Sequence, residues 1–123
     1  MGLKQKVAVS VASKQGLASM MDSRFGRTPA FLIVSGDDNN WTVSDVVDND
    51  AAAAAHGAGG AAAALVAKYG VDSVISGRFG PKAYQALEAL GIEMWIFNEG
   101  QSAKEALNAF NKGLLKQMKI TVY

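Results

Sequence analysis

The chain opens on a short alternating run. In Val7-Ala8-Val9-Ser10-Val11-Ala12 the valines fall on one face and the small residues on the other. Such a segment suits a central strand covered on both sides. Ser13 to Pro29 has no clean period and contains Gly16, Gly26 and Pro29, so it is expected as a long loop, functional or mobile. Phe31-Leu32-Ile33-Val34 reads as a second strand and Trp41 to Val47 as a third. The turn-forming cluster Gly36 to Asn40 between them predicts an antiparallel hairpin.

After Asp50 the period changes. Ala62, Leu65, Val66 and Tyr69 keep helical spacing within a helix over Ala61 to Lys68, and Gly70 stops it. Val71 to Ser76 follows as a strand. Gly80-Pro81 starts a second helix with the stripe Ala83, Leu87 and Leu90, and Gly91 ends it. Ile92 to Phe97 is the fifth strand. Ser102-Ala-Lys-Glu105 is a capping box that opens a third helix with Ala106, Leu107 and Phe110 inward, closed by Gly113. The tail Met118 to Tyr123 alternates like a strand but finds no place in this order.

The order β-β-β-α-β-α-β-α predicts one α/β domain over residues 1–123. Its expected core is a mixed five-stranded sheet of order 3-2-1-4-5, strand two antiparallel, with helices on its faces. Strands one, three, four and five then point the same way. Their C-terminal ends collect the loops Ser13–Thr28, Asn49–Gly60, Gly77–Pro81 and Asn98–Gln101 at one edge. Ligands of open α/β sheets bind at such an edge, near a switch in strand order.

Composition narrows the chemistry. The 123 residues carry a net charge of +1, which points to neither disorder nor nucleic-acid binding. No apolar run is long enough to cross a membrane, and Met1 to Lys6 lacks the apolar core of a signal peptide, so the expectation is a cytoplasmic protein. The absence of cysteine removes disulfides, thiolate catalysis and cysteine-ligated metal centres.

The candidate site lies in the edge loops. The three arginines all fall in two copies of one tripeptide, Ser23-Arg24-Phe25-Gly26-Arg27 and Gly77-Arg78-Phe79-Gly80. Arginine offers a planar, permanently charged fork to an anion. Glycine permits close backbone approach, and phenylalanine supplies an apolar wall that strengthens a nearby charge contact. The single histidine begins His56-Gly57-Ala58-Gly59-Gly60 at the mouth of the first helix, where free backbone N–H groups suit an anion. His56 is also a candidate metal ligand, and Met20 offers a soft thioether to a copper-like metal. The bland alternative for each residue is a solvated arginine, a core phenylalanine, a bystander histidine and a packing methionine.

Competing motifs are weaker. Gly57-Ala58-Gly59-Gly60-Ala61-Ala62 nominally fits a dinucleotide fingerprint, but an alanine run rather than a strand precedes it. A two-metal nuclease requires clustered carboxylates, and the first strand has none. Ser10, Ser13 and Ser76 have only His56 to serve them as a base, so no enzyme is expected.

Three pieces of the chain resemble the dinitrogenase iron–molybdenum cofactor biosynthesis family: Ser23 to Phe31, His56 to Gly59, and Val71-Asp72 leading through Ser76-Gly77 to Gly80-Pro81-Lys82-Ala83. The resemblance implies a ribonuclease-H-like fold without nuclease activity, used to bind or carry metal–sulfur clusters. Lacking cysteine, the chain looks most like the branch associated with a molybdenum–copper sulfide cluster held without thiolate ligation. On that reading the chain carries an anionic cluster non-catalytically, exchanging it with other proteins, and engages neither nucleic acid nor membrane. His56 alone carries over as a direct metal ligand. A small-anion or nucleotide-binding module is the second expectation from the same loops.

Overall fold

The computed structural model describes residues 5–37, 40–54, 56–97 and 101–118. The strands are β1 (Gln5–Val11), β2 (Ala30–Asp37), β3 (Asn40–Asp48), β4 (Ser73–Ser76), β5 (Glu93–Ile96) and β6 (Lys116–Gln117). The helices are α1 (Ala58–Ala67), α2 (Pro81–Ala89) and α3 (Ala103–Asn111). The sheet runs β3-β2-β1-β4-β5-β6, the ribonuclease-H-like order expected from the sequence with one strand added. β2 lies antiparallel to β1 and β3, whereas β4 is parallel to β1 and β5 to β4. β6 corrects the five-stranded expectation. It pairs antiparallel with β5 through Trp95–Gln117 and Ile96–Lys116, just before the tail that the alternation singled out. Two residues give too little pattern to be read as a strand. Residues 119–123 of that tail lie outside the described residues.

The alternation of β1 and β2 divides the core as their sequences require. Val7, Val9, Val11, Leu32 and Val34 face a cluster completed by Ala103, Ala106 and Leu107 of α3. Ala8, Phe31 and Ile33 face the opposite cluster, built with Ala62, Val66, Ala83 and Leu87 of α1 and α2. Both faces of β1 are therefore dry, which explains why it carries no charged residue from Val7 onward. The edge strand β3 alternates half-buried and exposed positions instead. The capping box of α3 forms as read: Ser102 Oγ accepts from the Glu105 N–H at 3.1 Å, and Glu105 accepts from the Ser102 N–H at 2.9 Å.

Two loops contain short turns of 3-10 helix that periodicity did not reveal, at Gly16–Ala18 and Asp50–Ala53. The second is formed by the alanine run before His56. The nominal dinucleotide fingerprint thus follows a tight turn and lacks the buried strand that such a motif requires. α1 begins three residues earlier than the helical spacing indicated, capped by Gly57 in the left-handed region at φ 75°. That backbone excludes most side chains.

The strand order reverses between β1 and β4. From β1 the chain passes to β2 on one side, and from β4 it passes through α2 to β5 on the other. At this crevice the long loop returns to the end of β1, the Asp22 N–H donating to the Ser10 carbonyl at 3.0 Å. The next residues then lie beside the continuation of β4. A Cβ placed on Gly77 would come within 2.7 Å of Ser23 Cα and 2.8 Å of its carbonyl oxygen. Gly77→Ala should therefore push the two turns apart and cost about 1–3 kcal/mol, read as a lower denaturation midpoint with an unchanged slope.

Candidate functional site

The two Arg-Phe-Gly turns lie side by side. Arg24 and Arg78 form a parallel bridge, and the Phe25 N–H donates to the Arg78 carbonyl at 3.2 Å. Partners in a parallel bridge send their side chains to the same side, so both guanidinium groups rise over one cavity of about 540 Å³. The second turn continues β4, and the first lies where the long loop returns past the end of β1 on its way to β2, so residues 54 apart in sequence meet at the switch point.

Beneath the arginines the phenylalanines close the core. Phe25 is 1% and Phe79 7% exposed, their ring centroids are 5.3 Å apart, and Phe25 also contacts Phe31 at 5.2 Å. They form an apolar floor but present little ring face to a ligand. The far wall is made by the starts of α1 and α2. Gly26, Gly59 and Ala83 pack so closely that a Cβ on Gly26 would lie 3.1 Å from Gly59, and one on Gly59 3.1 Å from Ala83. Neither Gly57 nor Gly80, the caps of these helices, has a side chain to occupy the first N–H groups. Two positive helix ends thus flank the cavity.

The loop carrying Arg24 is held from below. Asn49, at the end of β3 and 5% exposed, donates through Nδ2 to the carbonyls of Gly26 at 3.1 Å and Thr28 at 2.9 Å. The buried Thr28 hydroxyl lies 2.9 Å from the Val11 carbonyl and 3.1 Å from that of Ala30. The Ser10 hydroxyl donates to the Asp22 carbonyl at 2.8 Å and shares a 2.8 Å hydrogen bond with the Ser76 hydroxyl.

The three arginines differ in their engagements. Arg24 is bound by Asp22, whose hydrogen bond, reinforced by its charge, raises the Arg24 pKa above the ordinary arginine value. Arg27 lines the cavity but donates through Nη1 to the carbonyls of Ala52 at 2.9 Å and Ala54, so it ties down the turn before His56. Arg78 has no partner among the described residues, and its side chain is exposed.

Of the residues expected in the site, Arg24, Phe25, Gly26, Arg27, Gly57, Ala58, Gly59, Arg78, Phe79 and Gly80 line the cavity. Gly60 and Gly77 do not: Gly60 lies in the first turn of α1, and Gly77 serves the close contact with Ser23. His56 is exposed beside the rim residue Gly57 but is not part of the lining. Met20 lies away from it, 44% exposed, in a bridge with Ser102 at the start of α3. Among the described residues, no three or more His, Asp or Glu side chains group as a metal-ligating set.

Four contributors escaped the sequence reading. Pro81, Lys82 and Ala83 complete the lining from the first turn of α2. Lys82 did carry a signal. A cation in the first turn of a helix opposes the helix dipole, a placement that an anion at the same point would offset. Asn49 carried none, because its role depends on carbonyls more than twenty residues away.

Fold and site together define an open α/β protein with a cationic, glycine-lined crevice at its switch point. The chain matches the family model described as dinitrogenase iron-molybdenum cofactor over residues 5–113. It belongs to that family. It is 31% identical over 97 residues to the uncharacterized protein MJ0580 of Methanocaldococcus jannaschii, covering 79% of this chain and 81% of that one. Its fold is similar to that of the apo orange protein of Desulfovibrio gigas, with a TM-score of 0.83, 34% identity and 96% of each chain covered. A NifB-related Thermotoga protein is also similar, with a TM-score of 0.78, 30% identity and 97% coverage of each.

The clamp beneath the loop is directly testable. Asn49→Leu removes both donors while keeping the branched shape, leaving the Gly26 and Thr28 carbonyls without them. We expect a stability loss of about 1–3 kcal/mol in chemical denaturation. Amide exchange should speed up over residues 24–28 more than over β1.

Proposed function

We propose that this protein binds and carries an anionic molybdenum-containing sulfide cluster, of the molybdenum–copper type, held non-covalently over the two Arg-Phe-Gly turns. The observation that carries this reading is the convergence of Arg24, Arg78, Lys82 and two uncapped helix starts on one cavity. Such a site is matched to negative charge and supplies no thiolate to a metal. A cluster that brings its own sulfide ligands needs only charge, shape and hydrogen bonds from the protein. The similarity to the orange protein and the family match support the same reading.

Carriage rather than catalysis fits the groups present. The Ser10 and Ser76 hydroxyls are fully buried and bonded to each other, and His56 stands outside the cavity lining. A nucleotide is a poorer fit than a thiometallate, since Phe25 and Phe79 are too buried to stack a base. Phosphate-like chemistry remains available to the arginines. The decisive contrast is therefore a coloured metal–sulfur chromophore against a colourless bound nucleotide.

Reconstitution of the apo protein with tetrathiomolybdate and copper, followed by visible absorbance, tests the assignment. Replacing Arg24 and Arg78 together by Ala should weaken binding on the order of tenfold or more. Replacing the exposed Lys112 and Lys116 removes equal charge elsewhere and should weaken it much less. Binding should also fall as salt rises. Equal losses from the two pairs would reduce the site to diffuse charge attraction. His56→Ala separates its roles: a large loss marks ligation through a rearranged turn, a small one a bystander at the rim.

A further inference from the structure

The two Arg-Phe-Gly segments are in register at their arginines but differ in charge. The Arg24–Arg78 bridge sets them in register, and the residues two positions earlier, Asp22 and Ser76, both contact the Ser10 hydroxyl. In the second copy this position is a neutral hydroxyl turned into the core, fully buried. Arg78 is left without a partner among the described residues. In the first copy it is a carboxylate whose side chain is only 11% exposed. Asp22 Oδ1 accepts from the Arg24 N–H at 2.8 Å and from Nε at 3.3 Å, while Oδ2 accepts from Nη2 at 3.3 Å.

We propose that Asp22 is a resident counter-anion that occupies Arg24 in the free protein and restricts the crevice to ligands able to take that arginine from it. The inference rests on the crevice being an anion site, and it adds what governs which anions enter. An anion arriving at Arg78 exchanges only with water. At Arg24 it must displace a tethered carboxylate, which stays nearby and repels it. The bond to the Arg24 N–H is the tether: the guanidinium can turn away while Asp22 remains anchored to the backbone. A small inorganic anion that reaches one cation therefore binds at Arg78 before it binds at Arg24. A wide, multiply charged anion that spans both turns gathers enough contacts to displace Asp22 from the second arginine. The asymmetry between the copies thus selects for size and charge and leaves the free crevice poorly matched to ordinary small anions.

The test needs neither metal nor sulfide. Arginine Nε–H resonances of Arg24 and Arg78 are followed by NMR while inorganic phosphate is added at constant ionic strength, with carbonyl-bound Arg27 as the reference. In the unaltered protein the Arg24 midpoint should lie about two- to fivefold above that of Arg78, the range expected for an exposed ion pair. Asp22→Asn keeps an acceptor for the Arg24 N–H and removes the charge, so the two midpoints should converge. Asp22→Ser copies the second turn and should do the same, which covers the case in which one variant fails to fold. Equal midpoints in the unaltered protein, an undiminished difference in the variants, or no response at either arginine would overturn the proposal. Failure of the metal–sulfur cluster to assemble, with the phosphate result intact, would overturn the cluster assignment and leave the role of Asp22 standing.

Discussion

The approach of Ser23 to Gly77 is the contact on which the site depends. It lets the segment that continues β4 and the segment that returns past the end of β1 toward β2 run beside each other in the same direction for a few residues beyond the sheet. That parallel run presents two arginines on one side and two phenylalanines to the core below. Apolar packing and cation placement are therefore one structural event. The burial of Phe25 and Phe79 stabilises the turns that expose the charges. Asn49, Thr28 and Ser10 then satisfy the carbonyls that such a tight path would otherwise strand.

The electrostatic design follows from the topology. α1 and α2 both follow strands whose C-terminal ends meet this edge, so both helices point their N-termini at it. Glycine caps leave those ends without a side-chain acceptor, and Lys82 adds a cation where the dipole already disfavours one. A free protein that concentrates positive potential in this way benefits from one internal anion. Asp22 occupies that place, against a single arginine. Arg27 lines the cavity but is held by the carbonyls of the alanine turn, so arginines that look alike in sequence serve as a held cation, a tether and a free cation.

Much of this was readable from particular residues. The valine alternation of β1, the hairpin signal at Gly36 and the Ser102–Glu105 capping box are local patterns whose physical consequences are local, and each appears where expected. The repeated Arg-Phe-Gly tripeptide marked the crevice because the strand order sends both copies to one edge. His56 and Met20 stand apart from the cavity lining for the opposite reason. Their chemistry is conspicuous in sequence, but which way a loop residue faces depends on contacts made by its neighbours, and here neither side chain lines the cavity.

The sequence by itself determined the element order, the direction of the strands and the edge at which the cations gather. These follow from side-chain periodicity and from the restricted ways in which helices connect parallel strands. Only the tertiary structure decided the rest: that Lys116–Gln117 completes the sheet, that the phenylalanines belong to the core before they belong to a pocket, and which of the three arginines stands free. Those outcomes turn on single hydrogen bonds and close contacts between segments brought together by the sheet, and no pattern within either segment encodes them.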